Sequence, residues 1–532
     1  MSLEVTGLDW SNERMLPAFQ APSHLEIYDM RGASRDIQLT VTTLVGLVNR
    51  PQPRVYLIVG DDDAFWLAQV FHAIPQEIYP SKGDKVLKSL LTVYRDAIQG
   101  LIIYDPNLID TINVATTLAG LRDGIVVAPA QVADLQQAFG LSILVDLRTY
   151  HWKSRRQAYH WAWQNLRQDA SHQMVAGLDP KNVTGLRSFL VATRTLIYRL
   201  DSRAHLSNLR QGGHTERNLM QQIVSSYPPG ATHLGWFIDE SSGVRLTSQA
   251  ALAVLATDHL TNLEVWTAIQ PQTKTRPPLV VELPAISERV YVSFTISDGD
   301  NLQYCQHHMQ RLWRDPARGT LPIGWTLSPI LMQAAPAMAE YYLSTATAND
   351  ELIAGPSGAG YIFPSHWPSK HLSPFLQRTG QMMQDMGMVS LQVLDTVSRQ
   401  NSALPFMPQF ASGMTFVDST SQQRYAQGLT AFGLQGILSG AGLRACRWQK
   451  TQGLPLYHNL GLAGSVGQTV RWIKNAALAQ KQRPLFLNVY MLAWSITPSD
   501  LRQIVERLGD GYAIVLPKTL LAMLAKVTSP HA

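Results

Sequence analysis

Two aspartates and an asparagine stand together in Ser297-Asp298-Gly299-Asp300-Asn301, directly after the apolar run Tyr291 to Ile296. Further along comes a glycine-dense stretch, Gly355-Pro356-Ser357-Gly358-Ala359-Gly360-Tyr361-Ile362-Phe363-Pro364. Neither piece serves a core. Charged side chains at a strand tip need solvent or partners, and closely spaced glycines cost backbone entropy. Together they point to a site. A pair of carboxyl groups can divide the work of glycoside hydrolysis, one as acid and the other as nucleophile or base. Held close, two carboxyls split their proton affinities, so that one stays protonated. Asp298 and Asp300 alternate along an extended segment, which predicts that they share one face. A third acid, Asp395, follows the run Ser390 to Leu394 and is expected to face them.

These residues need a scaffold that brings strand ends together. From Val290 onward, apolar runs recur at Val290 to Ile296, Ile323 to Leu327, Ala359 to Phe363, Ser390 to Leu394, Ser412 to Phe416, Gly436 to Leu438, Pro455 to His458, Phe486 to Met491 and Tyr512 to Leu516. Such spacing, with helices between, predicts a (β/α)8-like barrel, regular or distorted, with its site at the C-terminal strand ends. Asn301, Ser357, Tyr361, His366 and His458 are then the candidates for binding hydroxyl groups. Trp325 and Trp494 are the candidates for stacking on sugar rings. For any single Asp, Asn or Ser the competing role is a helix cap. Between Asp418 and Asp500 there is no Asp or Glu. The catalytic carboxylates must therefore come chiefly from the first half of this region, with Asp350 in reserve behind Asp298, Asp300 and Asp395. Cys305, His307 and His308 read as helix-face or core residues. No cofactor is expected. Gly355 to Gly360 lacks the Gly-Lys-Ser/Thr of a phosphate loop. Gly440-Ala441-Gly442-Leu443-Arg444-Ala445 lacks the acid that a dinucleotide site needs about twenty residues on.

The first half alternates strand-like and helix-like runs, which predicts α/β domains with parallel sheets. The expected domains are 1–135, 136–285 and 286–532, the last boundary marked by Pro271, Pro277, Pro278 and Pro284. Asp239-Glu240, Asp258 and Asn262 read as caps. With 532 residues, 45% hydrophobic and 16% charged, the chain suits several compact domains. The net charge of +5 is scattered rather than gathered in a basic run, so nucleic acid is not an expected partner. Two cysteines make no disulfide framework. No apolar run approaches the roughly 20 residues of a membrane span. The first residues lack the apolar core of a secretory leader. The expected location is cytoplasmic as the chain stands, or outside the cytoplasm if a leader has been removed.

The segments Ser297 to Asn301, Gly324-Trp325-Thr326-Leu327-Ser328-Pro329 and Gly358 to Pro364 resemble the GxGYxYP family, whose members are classed by fold as glycoside hydrolases. Phe363 stands where the family pattern has its second Tyr, which removes a hydroxyl. Leu44-Val45-Gly46-Leu47-Val48-Asn49-Arg50, and Gly235-Trp236 with Asp239-Glu240, look like the family's N-terminal region. The resemblance thus covers most of the chain. It implies a barrel-like catalytic domain behind α/β domains, a carbohydrate substrate, and a place in bacterial carbohydrate metabolism, with members often exported. It supplies no proven catalytic residues. Aspartates after a first barrel strand are also similar to those of polysaccharide deacetylases. That family pairs them with histidines four apart, whereas His366 and His371 are five apart. A metal-dependent carbohydrate deacetylase using Asp298 and Asp300 with His366, His371 or His458 stands as one alternative. A non-catalytic glycan-binding protein stands as another.

Overall fold

The computed structural model describes residues 8–11, 14–203, 215–270, 283–395, 419–440 and 445–527. The expected strand at Ser412 to Phe416, together with Asp418 and most of the Gly440 to Ala445 stretch, lies outside them. The chain forms two compact units, Met1–Pro271 with Gln333–Met338, and Gln272–Met332 with Ala339–Ala532.

The first unit holds three small parallel sheets. One has β1 (Leu25–Asp29) between β2 (Val55–Ile58) and β3 (Gln76–Lys82). The next has β4 (Gly100–Ile103) between β5 (Gly124–Val127) and β6 (Ile143–Asp146). In both, the first strand is central and the crossovers leave to either side. The third contains β7 (Met174–Gly177), β8 (Leu196–Tyr198), β9 (Thr232–Gly235) and β10 (Ala253–Leu255), in the order β10-β9-β7-β8. The expected boundary at 135/136 falls within the helix Val132–Phe139, which joins β5 to β6. The helix Arg187–Ala192 leads into β8, with Arg194 at φ +54° in the turn between them.

The second unit is built on one mainly parallel sheet. Its strands are β11 (Val290–Ile296), β12 (Ile323–Leu327), β13 (Asp350–Ala354), β14 (Ser390–Val393), β15 (Gly436–Ser439), β16 (Trp448–Thr451), β17 (Leu454–His458), β18 (Leu462–Ala463), β19 (Leu485–Met491) and β20 (Tyr512–Ile514). Their order is β16-β17-β15-β14-β13-β12-β11-β19-β18, with β20 also on β11 and β16 alone antiparallel. The chain from β17 to β18 bonds to both flanks. β17 pairs with β15, while Leu460 N–H donates to Asn488 O at 2.8 Å and β18 pairs with β19. The sheet therefore curls into a half-barrel. The distortion lies at β11, whose first half pairs with β20 and whose last two residues pair with β12.

One expected strand is corrected. Ala359 to Phe363 is loop, and the third strand is β13. β13 opens on two buried acids, a composition that reads as a turn. Both acids are fully engaged. Asp350 accepts from Arg318 at 2.7 Å, from the Trp325 indole at 2.9 Å and from Thr347. Glu351 accepts from Ser390 Oγ and from the backbone N–H of Lys518, each at 2.6 Å. Lys518 lies in the first turn of the C-terminal helix Pro517–Lys526, so Glu351 caps that helix. Leu520, Leu521 and Leu524 of the helix pack on Tyr291, Leu438, Tyr457 and Phe486. This core fills the end of the half-barrel at which strands begin.

Burial pushes Glu351 up from 4.5 to about 7. The folded state thus binds this proton more tightly than the unfolded chain, so stability falls as pH rises from about 4.5 through about 7. Glu351→Gln cannot ionise yet keeps an acceptor for Lys518. Its melting temperature relative to the parent should rise between pH 5 and pH 8. Thermal unfolding at both pH values checks this, and a variant that loses ground as pH rises contradicts it.

Candidate functional site

The tip of β11 is tied to both neighbouring strands. Ser297 N–H donates to Met491 O at 2.9 Å, keeping the chain on β19. Two residues later Gly299 sits on β12. Its N–H donates to Thr326 Oγ1 at 3.0 Å, and its carbonyl accepts from Ser328 N–H at 2.8 Å. A Cβ on residue 299 would run into the Thr326 carbonyl, so only glycine fits. Asp298, caught between these attachments, adopts φ +70°. This conformation breaks the expected strand-like alternation of Asp298 and Asp300. Asn301 Oδ1 accepts from Tyr304 N–H at 3.1 Å and caps the helix that follows, which continues through a π-helical turn at Cys305–Met309. Turns of that kind frequently accompany functional sites.

The Asp298 carboxyl gathers residues from two distant segments. Ala493 N–H donates to Ser297 Oγ at 3.1 Å, and Ser297 Oγ donates to Asp298 Oδ2. The Trp494 side chain lies near enough to Asp298 to favour its ionised form. Burial raises the Asp298 pKa above the ordinary carboxyl value, opposed in part by Ser297, Trp494 and His308. Trp494 is 53% exposed and stacks on His308 with ring centroids 4.9 Å apart and planes 16° apart. His308 Nε2 lies 3.1 Å from Ala493 O. Asp300 is 9% exposed, and its charge raises the proton affinity of the buried Cys305 thiol, after burial itself.

A second group surrounds the ends of β13 and β14. Ser365 donates to both Asp395 oxygens, through N–H at 3.0 Å and Oγ at 2.7 Å. Ser357 Oγ donates to Leu394 O at 3.0 Å and accepts from Leu394 N–H at 3.1 Å. Tyr425 OH donates to Ser357 O at 2.8 Å. At Gly355 and Gly358 the backbone takes φ +112° and +145° and packs against Gln392 and the helix Ser369–Asp385. Ala359, Tyr361, Ile362, Phe363 and Pro364 are all buried, with Tyr361 and Phe363 edge-to-face at 5.5 Å. The motif is a loop clamp.

Between the two groups runs a buried polar belt. Ser293 and Thr295 donate to Asn488 Oδ1, Asn488 donates to Asn459 Oδ1 at 2.8 Å, and Asn459 donates to Gln392 Oε1 at 3.2 Å. It links β11, β19, the residue after β17, and β14.

The expected residues therefore fall into distinct places. Asp298 and Trp494 meet, with Asp300 and Asn301 beside them. Asp395, Ser357, Tyr361 and the partly exposed His366 gather around the glycine-rich loop. His458 ends β17, 2% exposed. Ser357 and Tyr361 are enclosed, which removes them from direct contact with a ligand. Trp325 is corrected as well. It is 1% exposed, bonded to Asp350 and set edge-to-face against Trp313 at 5.1 Å, so it offers no open face to a sugar. Asp350 lies at the opposite end of its strand. The residues that sequence reasoning missed as site members are Ser297, Tyr304 and His308. Among the described residues no three His, Cys, Asp or Glu side chains gather at metal-binding spacing, so the deacetylase-like alternative finds no ligand set there. No helix among them is long and apolar enough to cross a membrane.

Fold and site together define an α/β protein with a half-barrel whose acidic strand ends carry an aromatic neighbour. Family models match along the chain. They are the GxGYxYP_N first domain over residues 24–95, the GxGYxYP_N second domain over 98–170, the GxGYxYP third domain over 172–268, and the "GxGYxYP putative glycoside hydrolase C-terminal domain" over 288–525. The chain belongs to the GxGYxYP family. It is similar to the crystal structure of a "putative hydrolase" from Bacteroides thetaiotaomicron VPI-5482, with a TM-score of 0.79 and 22% identity over 98% of this chain and 100% of that one. At that identity the likeness establishes the fold. A "putative polysaccharide deacetylase" from Mycobacterium smegmatis gives a TM-score of 0.33 at 11% identity over 48% of this chain and 97% of that one, too low to support an argument. A search of curated proteins gave no match.

Gly299→Ala should lower the melting temperature by several degrees and displace Asp298, because a methyl group has no space beside Thr326. A crystal structure or thermal scan of the variant indistinguishable from the parent would refute this account of the tip.

Proposed function

We propose that the chain is a glycoside hydrolase acting on a glycan at the end of the half-barrel where the strands terminate. One observation carries this reading. A carboxyl whose pKa is raised by burial, Asp298, is tied through Ser297 to Ala493, the residue before a half-exposed tryptophan, Trp494. A protonated carboxyl is what a general acid requires, and an exposed indole offers a flat surface for a sugar ring. Asp298 is then the acid. It gives its proton to the glycosidic oxygen as the C–O bond breaks, and the electron pair leaves with that oxygen. Asp300, two residues on, is the partner carboxylate, attacking the anomeric carbon or taking a proton from the incoming water. If Asp300 attacks, Asp298 regains its proton from the water that later displaces the ester. If Asp300 is the base, it passes the water proton to solvent and Asp298 is reprotonated from solvent. In both cases the water oxygen stays on the anomeric carbon as a hydroxyl with its other proton. Trp494 supports the ring, and the partly exposed His366 binds a hydroxyl, while His458, as enclosed as Tyr361, stays out of contact. Asp395, with both oxygens held by Ser365, sets the glycine-rich loop in place.

The test is a panel of polysaccharides and nitrophenyl glycosides. Activity should fall on the alkaline side as Asp298 loses its proton, with that limb above the ordinary aspartate value of about 3.9. Asp298→Asn should reduce kcat about 10²–10⁴-fold on natural linkages and much less on nitrophenyl glycosides, whose leaving groups need little protonation. Asp300→Asn should abolish turnover with the fold intact. Full turnover by Asp298→Asn on a natural linkage removes it from the chemistry. Binding without cleavage throughout the panel would favour a glycan-binding protein.

A further inference from the structure

Tyr304 is 1% exposed, and its hydroxyl has no hydrogen-bond partner among the described residues. Its ring lies edge-on to Trp494 at 5.5 Å and tilted against His308 at 5.9 Å, so it belongs to the Asp298 cluster. The groups acting on the hydroxyl are Asp298, Cys305 and Tyr490. Asp298 in turn faces Ser297, Trp494 and His308, while Asp300 acts on Cys305. A buried hydroxyl without a partner costs stability. A fold that retains one beside a carboxyl gains by it in some other state of that carboxyl.

We propose that Tyr304 is a positioning residue for Asp298, the carboxylate shifting toward the unpartnered hydroxyl to accept a hydrogen bond from it once Asp298 has given up its proton. The inference rests on the reading of Asp298 as the general acid. Before transfer, the protonated carboxyl is served by Ser297. After transfer the electron pair of the broken O–H bond remains on the carboxyl, leaving a half-buried anion that a further donor stabilises. Tyr304 keeps its own proton, because burial and the neighbouring carboxyl hold its pKa well above the ordinary phenol value. Only a hydrogen bond forms at Tyr304, and it is released when water reprotonates Asp298.

Tyr304→Phe removes the oxygen alone. Protein fluorescence followed against pH includes Trp494, and the transition belonging to Asp298 is the one that Asp298→Asn lacks. In Tyr304→Phe that midpoint should move up by roughly half a pH unit or more, since the anion has lost a donor. The melting temperature should stay at or above the parent's. On a glycoside that the parent cleaves, kcat should fall about tenfold with KM changed less than about threefold. An unmoved midpoint overturns the proposal, and a lowered melting temperature with an unmoved midpoint assigns Tyr304 to packing. A moved midpoint in a protein that cleaves nothing in the panel supports the Tyr304–Asp298 coupling while the hydrolase reading fails.

Discussion

The candidate site depends on one close contact, Gly299 pressed against the Thr326 carbonyl of β12. With Ser297 still bonded to β19 and Gly299 already bonded to β12, the intervening residue has little conformational choice. Asp298 takes the left-handed conformation, at a cost that Asp bears better than most side chains. That turn brings its carboxyl to Ser297 Oγ and Trp494, the first of which is fixed in turn by Ala493 N–H. These neighbours only partly offset the burial of the charged form, so the Asp298 pKa lies above the ordinary carboxyl value. Backbone packing at one glycine thus bears on the proton affinity of its neighbour.

The two ends of the half-barrel treat their acids differently. At the end where strands begin, Asp350 is satisfied by an arginine, an indole and Thr347, and Glu351 caps a helix. Those carboxyls hold strands and helix together. At the other end, Tyr304 is left with a buried hydroxyl unsatisfied, its ring against the half-exposed Trp494. Stability residues at the strand starts, with the proposed reactive acid at the strand ends, would match the division expected of βα-barrel architecture.

Much of this scaffold was legible in the sequence. The Asp-Gly-Asp-Asn tip could be placed because an apolar run stops abruptly at polar residues, and most half-barrel strands announce themselves as apolar runs. β13 was displaced because its opening acids resemble a turn while the buried motif loop, Ala359 to Phe363, resembles a strand. Trp325 was misjudged because strands of a parallel sheet are covered on both faces, and sequence gives no sign of which large side chain stays open. His308 and Trp494 stack although 186 residues separate them, and neither carries a local signal of the other. The polar belt had only one hint, Asn488 in the middle of an otherwise apolar strand.

The motif that names the family illustrates why recognisability and chemistry part company. Glycines at 355 and 358 are demanded by backbone conformation and by the nearness of Gln392, Thr379 and Phe375. Tyr361 and Phe363 fill the enclosed space beneath the loop. Steric requirements of this kind tolerate few residue types, so they leave a sharp trace in sequence. A Phe in place of the family's second Tyr keeps the ring and loses only a hydroxyl, as a packing position permits. The acids at the β11 tip are only two polar residues flanking a glycine, a pattern shared with many turns. Their meaning comes from what the clamped loops and the half-barrel bring beside them, above all the Trp494–His308 stack.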